Sequence, residues 1–325
     1  MSIYYNYLIV FIGLVLSMLV YFKLANKYQI LDIPNNRSSH SLVTVRGGGI
    51  IFPIACLFQF IFFGFEDPWF LIGLLIISLI SFLDDILTLD SKIRMLFQFT
   101  AVLMLGFALQ LFKIIPAYGI LIVFVLIVAT INAYNFMDGI NGLTGSYSLL
   151  TVISLYYINT YVVSFADPSL LIVTAMALLI FNFFNFRTRA KCFAGDVGSV
   201  SIAFILVFLI GRLMLATSNL SYILLLLVYG LDTATTIVFR LIRKENIMQP
   251  HRSHYYQFLA NEKKWGHLKV SSLYFLLQLT INCLLIFFLN DNLGLAILAT
   301  VLISVLFIGL RFWQEGGKRL LKPLS

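Results

Sequence analysis

With 325 residues, 61% of them hydrophobic and only 11% charged, and a mean hydropathy of +0.97, the chain carries more apolar side chains than a water-soluble core can hide. It is therefore an integral membrane protein with the lipid bilayer as its first partner. A formal net charge of +8 would suggest nucleic acid in a soluble protein, but the cations sit in loops between apolar stretches, so no nucleic-acid partner is expected. Cys56, Cys192 and Cys283 lie far apart and form no CxxC pair, which leaves neither a disulfide framework nor a thiolate metal site.

Taken in order, apolar stretches fall at about 3–22, 48–65, 69–83, 95–112, 117–135, 143–165, 169–186, 199–216, 220–239, 270–289 and 294–310. A helix needs roughly 20 residues to cross the hydrocarbon, and a membrane barrel would show short alternating strands instead. The expected fold class is all-α: a polytopic bundle of about 11 transmembrane helices, one membrane domain over residues 1–325. No basic residue precedes the first stretch and no clear small-residue cleavage site follows Lys23, so it reads as a retained helix rather than a removed signal.

Lys and Arg gather in alternate segments, at about 23–47, 84–94, 187–198, 240–269 and beyond 310, leaving only Lys113 and Arg212 elsewhere. By the positive-inside rule these segments, together with 136–142, face the cytoplasm, the N-terminus lies outside and the C-terminus inside. The opposite connections are short and polar and read as turns and nothing more. Chemistry is thus expected at the cytoplasmic face.

In SFLDDILTLDSKIRMLFQ (81–98) the apolar run stops at Asp84 and Asp85 and restarts after Lys92 and Arg94. Two adjacent carboxylates with two cations just beyond suit a metal ion and the anionic groups it carries. They equally suit a solvated loop between helices. The first loop carries Asn35, Asn36, Arg37, Ser38, Ser39 and His40 after a proline, then Gly47 to Gly49, which either let backbones approach closely or form a flexible lead-in. In NAYNFMDGINGLTG, Asn132, Asn135, Asp138 and Asn141 recur every third residue as an apolar run ends. That pattern is close to one helical face and reads as a ligand-binding rim or as an elaborate helix C-cap. Asp196, between Gly195 and Gly198, either caps the helix that follows or offers an oxygen to a hard cation such as Mg²⁺.

Asp232 lies inside a span, roughly 18 Å from its outer end at 1.5 Å per residue. A carboxylate there costs about 2.5–3.5 kcal/mol on insertion scales, so it should face the bundle interior, for function or for a structural pairing. In QPHRSHYYQ (249–257), His251 and His254 lack a further partner for zinc. Arg252 between them suits a phosphate clamp, the alternative being a basic patch on anionic headgroups.

In this order, DIPNNRSSH with RGGG, LDDILTLDSKIR with Gln98, NAYNFMDGINGL, GDVGS and HRSHYYQ resemble the polyprenyl-phosphate sugar-1-phosphate transferases, from Asp32 to Gln257. The resemblance implies a bacterial inner-membrane enzyme that moves a sugar-1-phosphate from a UDP-sugar to undecaprenyl phosphate, releasing UMP. It implies Asp84 and Asp85 as the catalytic pair and Mg²⁺, or Mn²⁺ in its place, on Asn135 and Asp196. Asn141 matches a uracil contact with Asp138 close by, and Lys92, Arg94 and Arg252 match phosphate-binding cations, with His251 and His254 flanking the last. Two departures stand out: position 141 is Asn where many members have Asp, and the final motif is not a run of three histidines. The final motif is most similar to the branch that starts O-antigen or capsule units on an N-acetylhexosamine or 6-deoxy-amino sugar, and it weighs against a peptidoglycan role. Oligomeric state, including a homodimer, is left open.

A phosphate monoester has a second pKa near 6, so the acceptor is mostly dianionic at pH 7 and hardly needs a strong base. Direct attack by the lipid phosphate is therefore expected over a phosphoryl-enzyme on an aspartate. The competing class, a transporter or flippase for a lipid-linked sugar, predicts polar residues along several spans and rich loops at both faces, and neither is abundant here.

Overall fold

The apolar stretches fold as helices. The computed structural model describes residues 3–34, 42–64, 66–247, 249, 251–289 and 292–322. Its helices are α1 (Ile3–Lys27), α2 (Ile51–Phe63), α3 (Pro68–Leu87), α4 (Ser91–Ala108), α5 (Leu111–Ile114), α6 (Ala117–Phe136) and α7 (Leu143–Tyr161). There follow α8 (Pro168–Asn185), α9 (Gly195–Thr217), α10 (Leu227–Ile242), α11 (Tyr255–Asn261), α12 (His267–Leu284), α13 (Leu293–Glu315) and α14 (Gly317–Leu321). The protein is an all-α polytopic membrane bundle. Among the described residues nine helices are long and apolar enough to cross a membrane. The other two expected spans are Gly48–Phe63, which is shorter, and α7, whose Ser, Thr and Tyr side chains are enclosed by α8, α9 and α12.

The packing follows from where the polar groups go. Helix α9 sits at the centre against α2, α3, α6 and α7, while α1, α4, α6 and α13 turn Leu, Ile and Phe outward. Such side chains are at home only in lipid, which makes outward apolar faces the rule here.

Several boundaries differ from the sequence reading, each for a local reason. Helix α3 runs on to Leu87 and ends where Thr88 takes a left-handed φ of 51°, so Asp84 and Asp85 occupy its last turn instead of a loop. Asp90 then caps α4 by accepting the Lys92 N–H at 2.8 Å, which starts that helix early and puts Lys92 and Arg94 in its first turn. Helix α6 stops at Phe136, so only Asn132 and Asn135 are helical, and Asp138 and Asn141 follow in a turn. The long segment after α10 contains the unforeseen helix α11, whose N-cap is His254.

The first loop is sewn to the α9 entrance. Strand β1 (Leu31–Asp32) pairs antiparallel with β2 (Thr44–Val45), and Val45 bridges to Cys192. The N–H groups of Gly48 and Gly49 then donate to the carbonyls of Phe193 and Ala194 at 2.8 and 3.1 Å. A Cβ on Gly49 would stand 2.2 Å from the Gly198 Cα, so backbone touches backbone there and no side chain fits. Asn35 to His40 lie outside the described residues.

The opposite end holds more than turns. Asp167 caps α8 by accepting the Ser169 N–H at 2.9 Å, and Arg212 of α9 pairs with Asp67 at 3.0 Å. These contacts tie the short connections to the bundle.

Candidate active site

The site gathers where the ends of α3 and α6 meet the start of α9. The Asp85 side chain is wholly buried and accepts the backbone N–H groups of Asp196 and Val197, both at 3.0 Å. A carboxylate at a helix N-terminus satisfies otherwise orphaned donors and opposes the helix dipole. The capping role open to Asp196 in the sequence thus belongs to a residue from another helix, while Asp196 lies within the first turn of α9. Gly195 makes this approach feasible: its φ is +70°, and a Cβ there would meet Asp85 Oδ2 at 2.6 Å.

Arg46 completes this corner. Its Nε lies 2.7 Å from Asp85 Oδ1 and its Nη2 lies 3.8 Å from Asp196, while Tyr21 Oη donates to its carbonyl at 2.6 Å. Burial alone would lower its pKa, but Asp85 and Asp196 raise it above the ordinary guanidinium value. In the sequence Arg46 is one loop cation among many; only the fold gives it a partner.

Asp84 is committed differently. Its Oδ1 accepts the Leu89 N–H at 2.8 Å and its Oδ2 pairs with Arg94 Nη1 at 2.8 Å. The adjacent aspartates therefore diverge, one buried against α9 and Arg46, the other half-buried and holding the exposed Arg94. Lys92 is exposed on the same first turn of α4.

At the end of α6, Asn135 Oδ1 accepts the Ser199 hydroxyl at 2.6 Å, which sets it one helical turn along α9 from Asp196. Asp138 is half-buried. Burial pushes its carboxyl up to about 6; the nearby Asp85 charge adds to this, while the Thr144 hydroxyl and Arg46 pull it back. Asn141 is buried, its Nδ2 donating to the Arg187 carbonyl at 2.9 Å, so it braces the 187–188 backbone. Among the described residues its buried Oδ1 has no hydrogen-bond partner.

The 251–256 segment closes the same side. Tyr256 Oη donates to the Phe136 carbonyl at 2.9 Å, and a Cβ on Gly139 would meet that oxygen at 2.2 Å. The His251 and His254 rings stack with centroids 5.0 Å apart. Burial, with the nearby His254 and Arg240, pushes His251 down to about 4, so it is neutral at pH 7. His254 turns inward, its Nδ1 3.3 Å from Asp232 Oδ1. Asp232 faces the interior as expected and is spent on structure: it accepts the N–H groups of Tyr255 and Tyr256 at 2.8 and 3.1 Å and the Tyr274 hydroxyl at 2.6 Å. Arg252 is half-buried between the two imidazoles in sequence.

The charges of this site do not balance. Asp84, Asp85, Asp138 and Asp196 face two close guanidiniums: Arg94 is engaged by Asp84, and Arg46 is engaged closely by Asp85 and reaches Asp196 only at 3.8 Å. Asp138 and Asp196 are left under-neutralised. The donors near them are hard oxygens, and among the described residues no three His, Cys, Asp or Glu groups form a closed metal cage. Such a set fits Mg²⁺, which is held through one or two carboxylates and keeps waters or substrate phosphates in its remaining positions.

Residues 68–214 match the model of glycosyl transferase family 4. The chain is 28% identical over 257 residues to a probable undecaprenyl-phosphate N-acetylglucosaminyl 1-phosphate transferase of Bacillus subtilis, covering 71% of this chain and 70% of that protein. An undecaprenyl-phosphate alpha-N-acetylglucosaminyl 1-phosphate transferase of Thermotoga maritima is 28% identical, over 76% of this chain and 78% of its own length. A phospho-N-acetylmuramoyl-pentapeptide-transferase of Petrotoga mobilis is 26% identical over 87% and 96%.

Proposed function

We propose that this chain, a member of the polyprenyl-phosphate sugar-1-phosphate transferase family, moves a sugar-1-phosphate from a UDP-sugar to undecaprenyl phosphate at the cytoplasmic face of a bacterial inner membrane. The observation that carries this reading is the charge pattern: four carboxylates, two guanidiniums engaged with two of them, and a basic loop, all at one end of an apolar bundle. That is a site for a divalent cation and a diphosphate beside a lipid phase. The N-acetylglucosamine relatives favour an N-acetylhexosamine as the sugar and the start of a cell-surface polysaccharide unit as the product's use.

In this reading an oxygen of the lipid phosphate attacks the phosphorus that bears the sugar. The bridging P–O bond of the nucleotide diphosphate breaks, and its electron pair leaves with UMP. Bound Mg²⁺ supplies positive charge against the diphosphate, and Asp196 and Asn135 are the residues that would hold it. Arg94, Lys92 and Arg252 add positive charge where negative charge builds up on the leaving oxygen. Asp85 serves by aiming Arg46 and by fixing the first turn of α9, on which Asp196 rides. Both oxygens of Asp84 are engaged, so its part is to hold Arg94 in place.

At pH 7 roughly nine-tenths of the acceptor phosphate is already dianionic, given a second pKa near 6. The residual proton goes to Asp138, whose pKa of about 6 matches that of the acceptor. The test is UMP release by the detergent-purified chain from a panel of UDP-sugars with undecaprenyl phosphate and Mg²⁺. Release that requires both lipid and metal supports the reading, and no release with any of the sugars overturns it.

A further inference from the structure

We propose that Arg311, on a helix otherwise turned to lipid, is a positioning residue that sets the 251–254 segment and therefore Arg252 against the substrate. The inference rests on the proposed role of that segment in holding the UDP-sugar diphosphate. Helix α13 lies outside the family-matched region. Its only buried residues are Ala296, Phe307 and Arg311, and Arg311 is 1% exposed. A guanidinium buried in such a place is costly unless every donor finds a partner.

The partners lie on α10, on the 251–254 segment and on α13 itself. Nη1 donates to the hydroxyls of Thr235 and Thr236 at 2.8 and 2.9 Å, and Nη2 to the Ser253 carbonyl at 3.0 Å. Nε pairs with Glu315 at 2.5 Å. The planar group also stacks near Phe239 and Tyr255. Thr236 is one turn from Asp232, which grips the next two backbone amides after His254. Arg243 Nη2 reaches the Ser253 hydroxyl at 3.3 Å from the other side. The backbone bearing Arg252 is thus clamped at Ser253, Tyr255 and Tyr256, and the last of these touches the Asp138 turn through Phe136.

Arg311→Lys separates the two roles. Lysine keeps the charge beside Glu315 but has no planar fork to span Thr235, Thr236 and Ser253 at once. In the full chain we expect KM for UDP-N-acetylglucosamine, or for the sugar found active, to rise at least tenfold. KM for undecaprenyl phosphate should change less than twofold, and amide exchange over 251–256 should speed up. A KM within twofold of the parent's, or unchanged exchange in that segment, overturns the proposal. If Arg311→Lys does not fold, Thr236→Val is the second variant, removing one acceptor of the fork. It should raise the same KM about threefold, and an unchanged KM again overturns the proposal. Should the parent turn over no UDP-sugar, the functional reading fails, while the exchange comparison still decides whether Arg311 orders the segment.

Discussion

Asn substituted singly at the two adjacent aspartates should produce two different defects. Asp85→Asn removes the charge from a wholly buried side chain that pairs with Arg46 and caps α9. Breaking a buried pair costs about 3–5 kcal/mol, because the partner charge stays behind. Arg46 is 34% exposed and has Asp196 at 3.8 Å to fall back on, and Asn retains one acceptor for the α9 amides, which puts the loss at the low end, about 3 kcal/mol. With an unfolding entropy of roughly 2.1 cal/mol/K per residue, a chain of 325 residues should lose about 4 °C in its thermal midpoint in detergent. Asp84→Asn breaks a pair whose arginine is 46% exposed, a loss of under about 1 kcal/mol, yet it should cut turnover at least a hundredfold by releasing Arg94. Thermal unfolding followed by tryptophan fluorescence, with UMP release on the same samples, reads both. An Asp85→Asn protein as heat-stable as the parent, or an Asp84→Asn protein with parental turnover, would refute the reasoning.

Asp138, with its pKa raised to about 6 from 3.8, carries a charge that the fold disfavours. That cost is fully present above pH 6 and gone below about pH 4. Asp138→Asn should therefore raise the midpoint at pH 8 without added metal, with the gain fading as pH falls to 4, while turnover drops. Gly139→Ala drives a Cβ to within 2.2 Å of Tyr256 Oη and should cost about 1–3 kcal/mol. Tyr256→Phe in the same chain should recover part of it, read as thermal midpoint. Gly49→Ala, which meets Gly198 backbone at 2.2 Å, should have no comparable side-chain rescue.

The bundle was legible because lipid imposes a simple rule: a long apolar run must satisfy its backbone as a helix. The runs ending at about 83, 135 and 239 mark helix ends that fall at Leu87, Phe136 and Ile242, within a few residues. Asp232 declared its inward orientation by the cost of any other. The pairings were not legible. Nothing in the sequence distinguishes Arg46 from Lys23 or Arg311 from Lys318, since each meets its partner only across the fold. Asp85 and Asp84 have the same neighbours in sequence, yet one points at α9 and the other at α4. Their difference arises because the last turn of α3 passes beside Gly195, where a Cβ would leave no room. A sharper signal lay in the glycines: Gly49, Gly139 and Gly195 each mark a place where another element touches backbone or a close polar atom.

The most direct measurement places ³²P separately on the two phosphates of UDP-N-acetylglucosamine and follows each label with the purified chain, undecaprenyl phosphate and Mg²⁺. If the lipid phosphate attacks the sugar-bearing phosphorus, the β label moves to the lipid, the α label leaves as UMP, and Asp196→Asn abolishes both. Release of the β label in UDP, or transfer of neither label with this or any other UDP-sugar, would contradict the account.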